Sequence, residues 1–191
     1  MAVDFDFEVI LRTLKKSAGA LRDAEVPFAL GGGLAVWARG GAKTEHDVDY
    51  FVKPEDAERA QQALVAAGLE AETPPEGWLL KAWDGNVLVD LIFEPRGGPV
   101  DDEWFERADE LDVYAVTMRV ASLDDVLITK LLALSEQNLD YSDVLEMSRA
   151  VREQLDWDEV RERTADSPYA RAFFTLVEGL GVVSTGPASA T

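Results

Sequence analysis

Apolar and polar positions alternate along this chain with two different periods. Val9, Ile10, Leu14 and Leu21 recur at helical spacing, while Arg12, Lys15 and Lys16 fall partly outside that stripe, which predicts an amphipathic helix over residues 5–24. Pro27 to Leu30 then reads as a short buried strand running into Gly31-Gly32-Gly33, and Leu34 to Arg39 as a short helix. Asp47 to Val52 predicts a second strand. Pro54-Glu55-Asp56 opens a helix through Leu69, with proline and acids suited to a first turn. Gly77–Trp83 and Asn86–Phe93 flank Asp84-Gly85, a hairpin signal that makes them antiparallel neighbours. A polar, glycine-bearing connection leads to a further strand, Val113 to Val120.

From Ser122 the period becomes helical. Ser122 with Asp125 three residues on resembles a capping box, and helices are predicted over 141–153, 157–165 and 168–179. Residues from Gly181 to the end predict a disordered tail. The expected fold class is α/β in the α+β sense: a mixed sheet flanked by helices over residues 1–120, a helical bundle over 121–180, and a tail over 181–191.

Composition narrows the chemistry. The chain has 191 residues, 47% of them hydrophobic, with no apolar run long enough to cross a bilayer and two acids in its first residues where a secretory signal would be basic; a cytoplasmic protein is expected. No cysteine and one histidine, His46, exclude disulfides, thiolate metal sites and multi-histidine zinc clusters. Any metal must be held by oxygen, which points to Mg²⁺ or Mn²⁺. The net charge of −19 opposes non-specific binding to long nucleic acid, though not a local basic patch.

Asp47 and Asp49, two apart in a strand, project to one side while Val48 turns away. Two like charges held so close call for a cation between them. Asp90 interrupts the run Val87-Leu88-Val89-Asp90-Leu91-Ile92-Phe93, a pattern expected of a strand buried on both faces. A carboxylate there needs a partner, which is either an ion pair with Lys81 or Lys130 or a metal shared with Asp47 and Asp49. Lys130 is a second anomaly, because Leu123, Val126, Leu127 and Leu134 place it on the apolar face of its helix. Either it snorkels at a core edge or it aims a cation at phosphate or at the carboxylates. Gly31 to Gly33 lie where backbone N–H groups can approach a phosphate. A dinucleotide-binding turn fits poorly, since Val36 stands where the third glycine would be and the helix is short.

Strand, glycines, short helix, Asp-x-Asp and a third aspartate on a later strand together resemble the nucleotidyltransferase superfamily with the DNA polymerase β-like fold. Within it, GGGLAVWARGGAKTEHDVDYFV, VLVDLIF, ITKLLAL and DYSDVLEM most resemble the bacterial AbiEii and MenT-type nucleotidyltransferase toxins and their relatives. The resemblance covers residues 25–150. It implies that Gly32 and Gly33 position the triphosphate, that Asp47 and Asp49 hold Mg²⁺, and that Asp90 binds a second metal and acts as general base. Lys130 and Asp143 match the family's later lysine and aspartate, although Asp143 with Asp140 as N-cap also reads as a plain helix start. Lys43 stands where relatives carry an arginine, and Glu45 and His46 depart from the pattern before the aspartate pair. The activity implied is transfer of a nucleoside monophosphate from an NTP to an acceptor hydroxyl. That acceptor is the tRNA 3′ end, with an antitoxin protein as partner and Arg39, Lys43, Lys53, Arg12, Lys15 and Lys16 as a landing patch, or a small molecule of the aminoglycoside kind. A member that binds nucleotide or a protein without turnover is the third possibility.

Overall fold

The computed structural model describes residues 7–43, 47–75 and 77–183. The predicted start of the first helix at residues 5 and 6, residues 184–191 of the tail predicted over 181–191, and Glu45 and His46 lie outside the described residues. The chain divides into two compact units between Ser122 and Leu123. No helix among the described residues is long and apolar enough to cross a membrane.

The first unit contains α1 (Phe7–Asp23), β1 (Phe28–Leu30), α2 (Gly32–Ala38), β2 (Asp47–Val52), a 3₁₀ turn at Pro54–Asp56, α3 (Ala57–Ala66), β3 (Glu70–Glu72), β4 (Leu79–Asp84), β5 (Val87–Ile92), α4 (Asp102–Arg107), β6 (Asp109–Val113) and β7 (Val116–Val120). The seven strands form one mixed sheet in the order β3-β4-β5-β2-β1-β7-β6. β5 with β2 and β1 with β7 are parallel; the other neighbours are antiparallel. This is the mixed α/β sheet expected from the sequence.

Helices α1 and α3 cover one face of the sheet, α1 against β2, β5 and β7 and α3 against β4 and β5. The apolar stripe of α1 is why: Ile10, Leu14 and Leu21 are wholly buried, as are Val48, Tyr50, Ala82, Val89 and Leu91 on the strands. The Tyr50 phenol lies inside this layer, 2.9 Å from Ser17 Oγ and 3.1 Å from the Leu14 carbonyl oxygen, so its polar end is satisfied. Burial raises its pKa above the range of an ordinary tyrosine.

Several elements differ from expectation. The strand predicted over 113–120 is a hairpin, because Tyr114 and Ala115 take φ of 50° and 60° and turn the chain between β6 and β7. The polar, glycine-bearing connection holds α4, started by Asp101 accepting from the Trp104 N–H, and β6 up to Asp112. The helix expected to reach Leu69 ends at Ala66, and β3 follows. β5 is not buried on both faces: Val87, Val89 and Leu91 are buried on one, whereas Leu88, Asp90 and Ile92 share the other and are half-buried. The hairpin between β4 and β5 turns at Gly85 and Asn86, with Asp84 opposite Val87.

The second unit holds α5 (Leu123–Ala133), α6 (Ser142–Val151), α7 (Trp157–Arg163) and α8 (Pro168–Gly179), with α5 packed against the other three. Leu127, Leu131, Val160, Phe173 and Val177 form its core. Asp156 and Ser167 cap α7 and α8 by accepting backbone N–H bonds. Asp125, wholly buried, accepts a 2.7 Å hydrogen bond from Arg163.

Candidate active site

Period two along β2 sends Val48 and Tyr50 into the helix-covered layer and Asp47 and Asp49 to the opposite face. β5 runs parallel beside β2 with Asp47 opposite Leu88 and Asp49 opposite Asp90, so the aspartates of the two strands share that face. One carboxylate oxygen from each of Asp47, Asp49 and Asp90 lies within 4.8 Å of the others. All three residues are half-buried.

The glycine turn meets this cluster directly. Gly31 N–H donates to the Asp49 carbonyl oxygen at 2.8 Å, which extends the β1–β2 pairing by one position. Gly32 then takes φ +52°, and a Cβ there would stand 1.7 Å from Asp49 Oδ2. Any side chain would displace the carboxylate, so only glycine suits this position. Phe51, on the same strand face as Asp47 and Asp49, backs the turn: a Cβ on Gly31 would fall 2.6 Å from its ring, which in turn packs on Trp104 with centroids 4.6 Å apart. Phe51 belongs to the same alternation as the two aspartates, and that was the available signal for it.

Lys81, one of the two cations named from the sequence as partners for Asp90, is the direct cross-strand neighbour of Asp90, with Nζ 4.0 Å from Oδ1. The ion pair and the carboxylate cluster therefore coexist. Lys43 is exposed and its Nζ stands 5.2 Å from the centre of the Phe7 ring. Among the expected landing-patch cations, Lys16 is bound to Asp84, Arg39 to Asp109 and Lys53 to Asp102.

Lys130 and Asp143 belong to the second unit. Lys130 is half-buried on α5, and Asp143 is exposed in the first turn of α6, where Asp140 Oδ1 accepts from the Ser142 N–H at 2.8 Å. Tyr141, rather than the expected Asp140, is the N-cap of α6 and no side chain caps it; the Asp140 bond closes a turn just before the helix.

Three acceptor-only carboxylates converging within one ion's reach form an oxygen donor set of the kind that hard divalent cations take, and the chain offers no thiolate donor. The pattern of a protein family described as uncharacterised nucleotidyltransferase matches residues 9–178. The chain belongs to that family. It is thus a transferase enzyme of the nucleotidyltransferase class, and the match spans both units.

No curated protein matches the nucleotidyltransferase chain in sequence. Among solved structures it is similar to ANT(2″)-Ia in complex with adenylyl-2″-tobramycin, with a TM-score of 0.62 and 15% identity over 85% of this chain and 98% of the other. It is also similar to the lincosamide antibiotic adenylyltransferase LnuA in its lincomycin-bound form, with a TM-score of 0.51 and 18% identity over 71% and 92% of the two chains. A candidate nucleotidyltransferase of Thermotoga maritima gives 0.50 and 17% over 63% and 82%. At these identities the likeness is one of fold.

Proposed function

We propose that this nucleotidyltransferase moves a nucleoside monophosphate from an NTP to a hydroxyl of a small cationic acceptor of the aminoglycoside kind, with Mg²⁺ or Mn²⁺ held by Asp47, Asp49 and Asp90. The observation that carries the metal-dependent part is the register of β2 and β5, which sets Asp49 beside Asp90 and brings three carboxylate oxygens within 4.8 Å. When bound, the divalent ion supplies Lewis-acid stabilisation of charge on the phosphoryl oxygens.

The chain's own residues do the rest. Gly32 and Gly33 offer backbone N–H groups to the triphosphate, and the absence of a side chain at Gly32 lets the nucleotide approach Asp49. Asp90 takes the proton of the acceptor hydroxyl as its oxygen bonds to the α-phosphorus, and the bond to the bridging oxygen breaks to release pyrophosphate. Lys43 contributes cationic charge for phosphate, and Lys130 and Asp143 are assigned to the site by the motif resemblance alone.

Charge favours the cationic acceptor. The chain carries −19, and the pairing of Lys16, Arg39 and Lys53 with acids leaves those positions locally neutral rather than basic. The second reading, transfer of a nucleoside monophosphate to a tRNA 3′ end by a toxin restrained by an antitoxin, is favoured by the motifs ITKLLAL and DYSDVLEM. Each α-labelled NTP incubated with Mg²⁺ and either an aminoglycoside panel or total tRNA separates the two. Label on an aminoglycoside supports the first reading and label on tRNA the second. Label on neither supports a member that binds without turnover.

A further inference from the structure

The carboxylate cluster continues sideways across the sheet as a register-aligned row. Glu72 on β3 pairs with Lys81 on β4, Lys81 with Asp90 on β5, and Asp90 with Asp49 on β2. Directly paired residues project from the same face, so the row reads acid, base, acid, acid over four adjacent strands. Its two ends are held in different ways. Glu72 Oε2 accepts a 2.7 Å hydrogen bond from Trp83 Nε1, and Gly31 N–H holds the Asp49 backbone. Lys81 Nζ is left 4.0 Å from Asp90 Oδ1, with its side chain 25% exposed and that of Asp90 14% exposed.

We propose that Lys81 is a resident counter-cation of the carboxylate cluster that a divalent ion must compete with, so that Lys81 sets the metal affinity of the nucleotide-free protein. The inference rests on the reading of Asp47, Asp49 and Asp90 as a metal site. Three carboxylates held within 4.8 Å repel one another, and an ammonium beside the third relieves that repulsion without coordinating any of them. The same ammonium repels an incoming dication, because two positive charges then face one shared carboxylate at short range in a half-buried setting. A flexible four-carbon stem at a partly exposed position lets the ammonium withdraw once the ion and an anionic nucleotide arrive together. Lys81 thereby couples metal binding to nucleotide binding: the bare ion meets a cation already in place, whereas the ion with its triphosphate brings negative charge of its own to Lys81. Lys81 is a positioning residue here, acting through Asp90.

The test is titration of Mn²⁺ into the nucleotide-free protein, followed by electron paramagnetic resonance, for wild type, Lys81→Met, Lys81→Arg and Asp49→Asn. Methionine keeps the stem's length and apolar contacts while removing the charge. Lys81→Met is expected to bind Mn²⁺ about tenfold tighter than wild type, the equivalent of about 1.4 kcal/mol. Lys81→Arg should stay within about twofold of wild type, and Asp49→Asn should lose the site. The Lys81→Met protein should also melt at a lower temperature without metal and regain the difference when Mn²⁺ saturates it. Equal or weaker Mn²⁺ binding by Lys81→Met, with Asp49→Asn still abolishing it, overturns the role of Lys81 and leaves the metal site standing. Absence of Mn²⁺ binding in wild type, or binding unaffected by Asp49→Asn, overturns both.

Discussion

Gly32 is where the backbone and the carboxylate cluster constrain each other most tightly, and Gly32→Ala puts that constraint to work. Alanine at φ +52° would enter the left-handed region at a cost of about 1–2 kcal/mol. Its methyl group would also start 1.7 Å from Asp49 Oδ2, and must reach at least 3.0 Å, so the carboxylate has to withdraw by about 1.3 Å. A shift of that size in a group that positions reacting atoms costs about 100-fold in rate. Gly40→Ala is the control, since Gly40 holds φ +92° but a Cβ there meets nothing within 4 Å. Urea unfolding should show both variants destabilised by about 1–2 kcal/mol through backbone strain. Mn²⁺ titration and transfer of label from an α-labelled NTP should show a defect in Gly32→Ala alone. If both variants bound Mn²⁺ and turned over alike, the contact between the glycine turn and Asp49 would have no part in the site.

Two further predictions concern ion pairs inside each unit. Arg163→Met leaves the wholly buried Asp125 without its guanidinium and should destabilise the second unit by about 2–3 kcal/mol, below the usual range for a broken buried pair because Arg163 itself is 31% exposed; an unchanged urea midpoint would refute this. Asp84 is pushed upward by burial, but hydrogen bonds from Lys16 and Thr13 and the Lys16 charge outweigh this and hold its folded pKa below the ordinary aspartate value. Its ionised form therefore stabilises the fold above the unfolded-state pKa, and that contribution is lost as pH falls through the lower folded value. The stability gap between wild type and Asp84→Asn should be full at neutral pH and close in the acid range below 3.8; a gap that persists there contradicts the assignment.

The sequence carried the local part of this site, and its limits are physical. Asp47 and Asp49 are legible because the side-chain period of a strand is two, and the anomaly of Asp90 is legible because its neighbours are apolar. The pairing of Asp49 with Asp90 is not, since register between strands distant in sequence follows from how α1 and α3 cover the sheet rather than from either strand alone. Reading residues 87–93 as buried on both faces overestimated Leu88 and Ile92, which are apolar yet only half-buried beside Asp90. The hairpin at Tyr114-Ala115 was hidden because neither residue is one that turn chemistry favours, and its positive φ values must be imposed by the pairing of β6 with β7. β3 escaped notice for a related reason: Glu70-Ala71-Glu72 is wholly exposed at a sheet edge and carries no apolar alternation to announce it.

The central claim is that Asp47, Asp49 and Asp90 form one metal-dependent centre for nucleotidyl transfer. Its most direct test is the yield of pyrophosphate and of labelled acceptor from an α-labelled NTP, measured with Mg²⁺, with chelator, and with Asp49→Asn and Asp90→Asn. The account predicts one pyrophosphate for each nucleotidyl group transferred with Mg²⁺, and neither product with chelator or with either variant. Transfer that proceeds in chelator, or at the wild-type rate in Asp90→Asn, would contradict it.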